Sequence, residues 1–251
     1  MHSGKPIAIS VLIIGMGFVG RALAESLYQQ NIAVGAIKRH LTSDDVNLPI
    51  ALDAADLNRP VWQAHWANYT TWVLLLPPSA MADYAATVAW WVQQGQRVGV
   101  QHWIYGSSVG VFGATQGVCD ERTVPAPSTE SGKKVQAAEQ LLLNSGATNV
   151  DIVRLGGLYA AERHPLYSLL RREMPLSGGN AVADMIHRDA AVATLVQAAL
   201  SPNGCRIMHA VEQPALCKRD FYAREAKKLG QPAPVWLDDA PASAKQIIST
   251  T

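Results

Sequence analysis

Residues 12–20 read Leu-Ile-Ile-Gly-Met-Gly-Phe-Val-Gly, so an apolar run passes directly into the pattern Gly15-x-Gly17-x-x-Gly20. Apolar residues before the glycines predict a buried strand, and the amphipathic residues after them predict a helix. In such a turn the first glycine permits the sharp bend, the second leaves room for a pyrophosphate, and the third lets the helix approach the strand. The helix N-terminus adds free N–H groups that attract phosphate. The stretch therefore predicts a dinucleotide-binding site; the alternative is a glycine-rich turn without a ligand.

Strand-length apolar runs alternate with helix-length segments along the chain. Strands are predicted at 7–14, 32–37, 49–52, 72–76, 98–105, 150–155 and 206–210, and helices at 18–30, 80–94, 133–144, 190–200 and 219–229. This alternation predicts an α/β fold, a doubly wound, mostly parallel Rossmann sheet of six or seven strands. We expect residues 1–157 to form an NAD(P)-binding Rossmann domain and 158–251 a small C-terminal substrate lobe interleaved with the last sheet elements. The long loops 113–128 and 175–183 are expected near a ligand.

The composition argues against several classes of protein. Lys and Arg number 21 against 20 Asp and Glu, a net charge of +1, so nothing points to nucleic acid or an acidic membrane surface. The cysteines (Cys119, Cys205 and Cys217) and the histidines lack metal-ligand spacing, which predicts no metal site. Segment 7–14 is too short for a signal peptide, and no apolar run approaches the roughly 18 residues of a membrane span. We therefore expect a cytoplasmic monomer or homodimer that acts on a small molecule.

The end of the second predicted strand indicates which dinucleotide is bound. It reads Lys38-Arg39-His40, with no carboxylate before Asp44. A basic residue at this place accommodates the 2′-phosphate of NADP, whereas an acidic one selects NAD. The Arg39 guanidinium is suited to forking around that phosphate, so we expect NADP, with NAD as the alternative cofactor. The other interpretation is a solvated strand end.

Further along, Asp56-Leu57 follows the third strand, where Asp56 either meets the adenine amino group or caps a helix. The residues predicted to bind the cofactor are Gly15, Gly17, Phe18, Val19, Gly20, Lys38, Arg39, Asp56, Leu57, Leu76, Pro77 and Ser107.

Several motifs together resemble one known family. Residues 105–113 read YGSSVGVFG, similar to the family's "SSxxVYG"; 154–159 read RLGGLY, similar to "RxxxxYG"; 186–189 read IHRD, similar to "IHVDD". With the N-terminal glycines and the helix opening at 218–222, their order resembles the short-chain dehydrogenase/reductase superfamily. The resemblance is to its extended or atypical branch, the NAD-dependent epimerase/dehydratase-like proteins. It implies a nucleotide-sugar epimerase, dehydratase or reductase of atypical type.

The resemblance also implies catalytic residues. The family places a serine or threonine after the fifth strand, which Ser108 matches, with Ser107 as the neighbour one residue away. A further active-site position on the helix after the fourth strand falls on Asp83, 25 residues before Ser108 in the numbering. Asp83 is alternatively a favourable charge in the first turn of a helix.

The family's Tyr-x-x-x-Lys is incomplete in this chain. Aligning Lys133 with the family lysine puts Thr129 where the tyrosine belongs. Aligning Glu139 with a glutamate common in the family puts Ser131 there and Val135 in place of the lysine. An aliphatic hydroxyl cannot replace a tyrosine whose pKa, ordinarily about 10, is lowered by a nearby ammonium. Both alignments stay open, with Lys133 and Thr129 as candidate catalytic residues.

Other residues offer substitutes for the missing groups. Tyr105 and Tyr159 are candidate phenols, although a core tyrosine is the commoner case. Arg163, with Arg171 and Arg172, is a candidate clamp for the diphosphate of a nucleotide sugar, or a set of solvated arginines. The family usually continues past the equivalent of Thr251, so we expect that the C-terminus is truncated or that part of the protein is absent from this sequence. Two functions follow: an atypical epimerase or dehydratase, or a non-catalytic NADP(H)-binding sensor.

Overall fold

Apolar runs of strand length form the centre of the computed structural model, which describes residues 9–58, 60–172, 175–238 and 245–250. The strands are β1 (Ser10–Ile14), β2 (Ala33–Lys38), β3 (Ala51–Ala54), β4 (Thr71–Leu74), β5 (His102–Ser108), β6 (Gly117–Cys119), β7 (Asn149–Leu155), β8 (Gly157–Tyr159), β9 (Met185–His187), β10 (Cys205–Ala210) and β11 (Lys245–Ile247). The α-helices are α1 (Phe18–Gln29), α2 (Ser43–Val46), α3 (Tyr84–Val98), α4 (Glu130–Leu143), α5 (Leu166–Leu169), α6 (Arg188–Leu200) and α7 (Lys218–Lys228).

Seven of these strands make one parallel sheet in the order β10-β7-β5-β4-β1-β2-β3. The chain winds outward from β1 to β3, returns to β4 beside β1, and then winds to the opposite edge. Strand order therefore reverses between β1 and β4, and such a switch point leaves a crevice at the carboxyl ends of the strands. The predicted doubly wound α/β fold is confirmed.

Helices cover both faces of the sheet. The side chains of β1 alternate, as strand geometry requires: Val11 and Ile13 pack toward α1 and α6, whereas Leu12 and Ile14 pack toward α3 and α4. All four are at most 1% exposed, so the strand is buried on both sides. Continuous apolar runs of this kind are typical of parallel strands between two helical layers.

Six tryptophans make a ring cluster under α3. Neighbouring rings lie 4.9 to 6.2 Å apart between centroids, mostly edge to face. The tryptophan cluster comprises Trp62, Trp66, Trp72, Trp90, Trp91 and Trp103. Its inner members are fully buried, and the indole N–H of Trp91 donates to the Leu57 carbonyl at 3.3 Å. The cluster therefore extends from the centre of the sheet to the segment that follows β3.

A third apolar cluster lies beside the sheet and draws on the C-terminal part of the chain. Its buried members are Tyr159, Leu166, Ala183, Phe221, Tyr222 and Ala226. Two short parallel pairs accompany the main sheet, β8 with β9 and β11 with β6. In contrast, α6 and β10 belong to the main sheet and its helical layer.

Several predicted boundaries are wrong at α3 and β5. The helix predicted at 80–94 begins at Tyr84, because Asp83 caps its first turn, and continues to Val98. It ends at Gly99 (φ +75°), whose left-handed conformation suits glycine, so the strand predicted at 98–105 starts only at His102. Residues 7–8 of the first predicted strand lie outside the described residues. No helix in the described ranges is long and apolar enough to cross a membrane.

Candidate functional site

The glycine pattern forms the turn between β1 and α1. A Cβ on Gly15 (φ +103°) would lie 2.5 Å from the Leu75 carbonyl oxygen, and one on Gly20 would lie 2.5 Å from the Gly15 oxygen. Around Gly17 no atom lies within 4 Å of an added Cβ. Backbone packing therefore requires the first and third glycines, whereas the second one faces open space at the helix N-terminus.

That open space belongs to a cleft of about 470 Å³ at the switch point of the sheet. The glycine turn and the segment after β4 form one side of the cleft. The ends of β5 and β7 form the other. The predicted cofactor residues that line it are Gly15, Gly17, Phe18, Val19, Gly20, Leu76, Pro77 and Ser107, and the candidate catalytic residue Ser108 lines it as well.

The predicted adenosine-binding residues lie outside this lining. Lys38, at the end of β2, donates to the carboxylate of Asp45, which also accepts from Arg21 at 3.2 Å. Asp45 is fully buried and closes a capping box with Thr42 at the start of α2. The sequence therefore does place a carboxylate near the end of β2, although it comes seven positions after Lys38. A threonine followed three residues later by an acid is the signal that could have found it.

The remaining adenosine-end residues have local contacts. Arg39 is exposed and donates to the Ala80 carbonyl at 3.1 Å. Asp56 accepts from both the backbone and the side chain of Asn58, and these hydrogen bonds lower the pKa of its carboxyl group. Leu57 is buried against the tryptophan cluster. Of the predicted adenosine-binding residues, Lys38 is paired with Asp45, whereas Arg39 has an exposed positive charge at the end of β2.

The two serines at the end of β5 have different partners. The Ser108 hydroxyl accepts from the Gly110 N–H at 3.1 Å and caps a short 3₁₀ turn. The Ser107 hydroxyl donates to Glu139, whose carboxylate is held by Arg154 at 3.0 and 2.9 Å. Glu139 and Arg154 are both buried, so the Ser107 hydroxyl is fixed by a buried ion pair. Both serines line the cleft, and the Ser108 hydroxyl is the one that donates to no carboxylate among the described residues.

Helix α4 distinguishes the two alignments of the missing Tyr-x-x-x-Lys. Thr129 caps the helix by accepting from the Gly132 N–H at 3.0 Å. The Lys133 side chain is 59% exposed and pairs with Glu130 at 2.7 Å. Val135, in contrast, is buried and lines the cleft. Of the positions in the two alignments, Val135 lies in the lining of the cleft, whereas Thr129, Ser131 and Lys133 lie outside it. The cleft-facing residue of α4 therefore belongs to the alignment that puts Val135 in place of the lysine.

Asp83 and Tyr159 lie outside the lining of the cleft, whereas Tyr84 and Tyr105 lie in it. Asp83 is exposed and caps α3, accepting from the Ala86 N–H at 3.0 Å, while its neighbour Tyr84 lines the cleft. The Tyr84 and Tyr105 hydroxyls are 2.7 Å apart, and burial raises the pKa of Tyr84 to about 12 and that of Tyr105 well above its usual value. Tyr159 lies in the third apolar cluster, hydrogen-bonded to Glu212, and burial raises the pKa of its phenol too. No phenol near the cleft among the described residues has the lowered pKa that proton transfer at neutral pH requires.

The candidate arginines for a diphosphate do not lie together. Arg163 lines the cleft, whereas Arg172 lines a different cavity of about 450 Å³ with Lys218 and Trp236. Within the described ranges, no group of three or more His, Cys, Asp or Glu side chains is arranged to hold a metal ion.

The chain is similar in sequence to a curated protein and in fold to solved structures. No family model matches the chain. Protein YeeZ of Escherichia coli K12 is 28% identical over 145 residues, which are 58% of this chain and 52% of YeeZ. The match thus spans about half the length of that curated relative.

Solved structures match over a longer stretch. A candidate NAD-dependent epimerase/dehydratase from Methylobacillus flagellatus has a TM-score of 0.77 at 22% identity, covering 96% of this chain and 89% of that one. UDP-glucuronic acid 4-epimerase from Bacillus cereus, solved with NAD, has a TM-score of 0.76 at 16% identity, covering 95% and 88%. The chain therefore has, over nearly its whole length, the fold of NAD-dependent epimerase/dehydratase structures.

Proposed function

We propose that this chain binds a nicotinamide dinucleotide in the cleft, as a member of the extended short-chain dehydrogenase/reductase superfamily. The observation that carries the proposal is the open space around Gly17 at the N-terminus of α1. Gly17 and the three residues after it line the cleft. A pyrophosphate needs a bare backbone of this kind together with free N–H groups. The fold of the Bacillus cereus epimerase, which was solved with NAD, supports the same ligand.

We further propose that NADP(H) is preferred to NAD(H). Arg39 is exposed at the end of β2, where it donates to the Ala80 carbonyl and forms no ion pair with a carboxylate among the described residues. A 2′-phosphate there would gain a charge-assisted hydrogen bond. A carboxylate at this strand end would repel a 2′-phosphate. The Asp45 carboxylate should do so only weakly, because Lys38 and Arg21 pair with it.

The substrate proposed is a nucleotide sugar, in line with the substrate in the name of the Bacillus cereus enzyme. When bound, the nicotinamide would supply hydride transfer. The chain's own contribution would be Ser108, which lines the cleft and whose hydroxyl would hold a reacting oxygen. We place the protein in the cytoplasm, where its three free cysteines would stay reduced.

A second function, dinucleotide binding without turnover, is favoured by two observations on the side chains that line the cleft. Val135 lines the cleft where an ammonium would have to lie, and the Tyr84 and Tyr105 phenols have raised pKa values. A cleft built this way can hold a dinucleotide but offers no good proton donor or acceptor at neutral pH. Such a protein would sense the NADP(H) state or present a surface to a partner.

Two measurements test these proposals. Calorimetric titration of the purified chain with NADP⁺, NADPH, NAD⁺ and NADH tests the dinucleotide site. If none of the four binds, the proposed site is refuted. Incubation of the same sample with UDP-glucose or UDP-glucuronic acid plus cofactor, followed by chromatography, then separates the two functions. Epimerised or oxidised product supports the enzyme, whereas cofactor binding without product supports the sensor.

A further inference from the structure

The cleft is lined by one charged side chain among the described residues, that of Arg163. Its other walls consist of glycines, apolar side chains, two serines and two tyrosines. The guanidinium carbon of Arg163 lies 4.9 Å from the centroid of the Phe18 ring. Because Phe18 is the first residue of α1 and directly follows Gly17, this contact places the positive charge beside the open space at the glycine turn.

A second arginine at the same ring shows why Arg163 is available to a ligand. The guanidinium of Arg188 also lies over Phe18, at 5.3 Å, but it pairs with Glu162 and, at 3.0 Å, with Asp189. Arg163 is exposed and has no carboxylate within ion-pair distance in the part of the chain that the structure describes. Its charge is therefore the one at this ring that no acidic side chain compensates.

The backbone around Arg163 is held in place. Its N–H donates to the Ala160 carbonyl at 3.1 Å in a tight turn that follows β8. On either side of the turn, Tyr159 and His164 are each 4% exposed, and their rings pack against Phe221. The buried neighbours hold the backbone of Arg163, and the contact with the Phe18 ring restricts its guanidinium, which lowers the entropy that a ligand would cost.

We propose that Arg163 binds the diphosphate of the dinucleotide beside the glycine turn. The glycine turn and the N-terminus of α1 offer N–H donors to one side of a diphosphate. A guanidinium fork would add paired donors and a full positive charge to these N–H groups. This inference rests on the proposed dinucleotide site and adds to it a ligand contact from a residue far along the chain.

The test uses probes that separate the parts of the ligand. ADP-ribose carries the diphosphate without nicotinamide or 2′-phosphate, 2′-AMP carries a 2′-phosphate without the diphosphate, and UDP-glucose carries the diphosphate of a substrate. Each is titrated by calorimetry into the wild-type chain and into Arg163→Gln and Arg163→Lys. Arg171→Gln is the matched control, since it removes the same charge from an exposed arginine outside the cleft lining.

We expect Arg163→Gln to weaken ADP-ribose binding by about 10-fold or more, as for loss of a hydrogen bond between charged groups. Arg163→Lys should lose less, and Arg171→Gln should change nothing. Binding of 2′-AMP should stay the same in all variants, and unchanged thermal unfolding should exclude a folding defect. The affinity of the wild type for ADP-ribose should also fall more steeply with salt than that of Arg163→Gln.

Three results would overturn the inference. Equal affinity of the wild type and Arg163→Gln for ADP-ribose would leave the dinucleotide site intact but remove Arg163 from it. A loss confined to UDP-glucose would assign the charge to a substrate diphosphate instead. A wild-type chain that binds neither ADP-ribose nor any nicotinamide dinucleotide would refute the proposed function itself.

Discussion

Lys38 and the buried Asp45 form an ion pair at the end of β2, the place where a dinucleotide-binding fold reads the adenosine ribose. The pair holds the Lys38 ammonium toward the protein, so it is less available to a ligand. The neighbouring Arg39 is not held by a carboxylate in this way among the described residues. The two adjacent basic residues should therefore contribute unequally to cofactor choice.

We expect the wild type to bind NADP(H) roughly 10- to 100-fold more tightly than NAD(H), since a hydrogen bond between charged groups contributes about 1.5–3 kcal/mol. Arg39→Asp should reverse this preference by replacing an attraction with a repulsion, whereas Lys38→Gln should reduce it only slightly. The preference should shrink at high salt because Arg39 is exposed. Calorimetry with both cofactors measures all three ratios; an unchanged ratio in Arg39→Asp would contradict this assignment of the strand end.

The stability of the protein should depend on the ionisation of Asp45. Burial raises its pKa, but hydrogen bonds from Lys38 and Thr42 outweigh burial and lower the pKa to about 2, from 3.8. A carboxyl with a lowered pKa stabilises the fold fully above pH 4 and loses that contribution as the pH falls through its folded pKa. Roughly 2 kcal/mol should therefore be lost between about pH 4 and pH 2.

Urea unfolding of the wild type and Asp45→Asn across this pH range tests the effect. Asp45→Asn should be less stable at neutral pH by a similar amount, and the difference should vanish toward pH 2. Asp44→Asn is the control, because Asp44 is exposed next to it. A constant difference between the wild type and Asp45→Asn at every pH would show that the carboxylate charge is not what stabilises α2.

Substitution of the second glycine of the turn should affect ligand binding, whereas substitution of the third should affect stability. Gly17→Val should abolish dinucleotide binding while leaving the fold intact, because its Cβ meets no protein atom within 4 Å and enters the space assigned to pyrophosphate. Gly20→Ala should instead destabilise the protein, by about 1–3 kcal/mol, because its Cβ would lie 2.5 Å from the Gly15 oxygen. Circular dichroism, thermal unfolding and a cofactor titration on the same samples decide this. Normal affinity in Gly17→Val would place the phosphates elsewhere.

Turnover of nucleotide sugars should be low. We expect rates with UDP-sugars at least about 10³-fold below those of a relative that has the Tyr-x-x-x-Lys, within the range for loss of one acid/base group. Residual activity should show no titration near neutral pH from Tyr84 or Tyr105, because burial raises both pKa values. Several turnovers per second would disprove the expectation, and Tyr105→Phe and Tyr159→Phe would then identify a relocated proton donor.

The face of α4 can be tested by restoring the missing pair. Ser131→Tyr with Val135→Lys should raise turnover by roughly 10- to 100-fold, since Val135 lines the cleft and Ser131, four residues before it, lies on the same side of α4. Thr129→Tyr is the matched control, because it completes the same pattern with the native Lys133 on an exposed side. Improvement by Thr129→Tyr alone would mean that the cleft-facing side of α4 has been misassigned. The thermal unfolding of both variants should also be measured, because Val135 is buried and its replacement bears on the stability of the fold.

Much of the fold follows from the sequence because the strands that matter are continuous apolar runs. The strand predicted at 150–155 is β7 (Asn149–Leu155), and the helix predicted at 219–229 is α7 (Lys218–Lys228). The short pairs β6–β11 and β8–β9 were not predicted. Their strands are three residues long and pair with distant segments, so no periodicity marks them.

The candidate site was harder to predict than the fold. The glycine turn could be predicted residue by residue, since each glycine has its own steric reason. The face of α4 could not, because Lys133 and Val135 are two residues apart, about 200° around a helix, and spacing alone does not show which side is buried. Asp45 was missed for a similar reason: its partner Lys38 is local in space but separated by a turn in the chain.

The tryptophan cluster gives this protein a built-in optical signal. Its indoles lie close enough to pass excitation from ring to ring, and Trp91 donates a hydrogen bond to Leu57 at the predicted adenine end. Reduced nicotinamide absorbs in the wavelength range where indoles emit. Bound NADPH should therefore quench the tryptophan emission, and its own fluorescence should increase. Cofactor occupancy can then be measured by fluorescence without a label, even if the protein has no catalytic turnover.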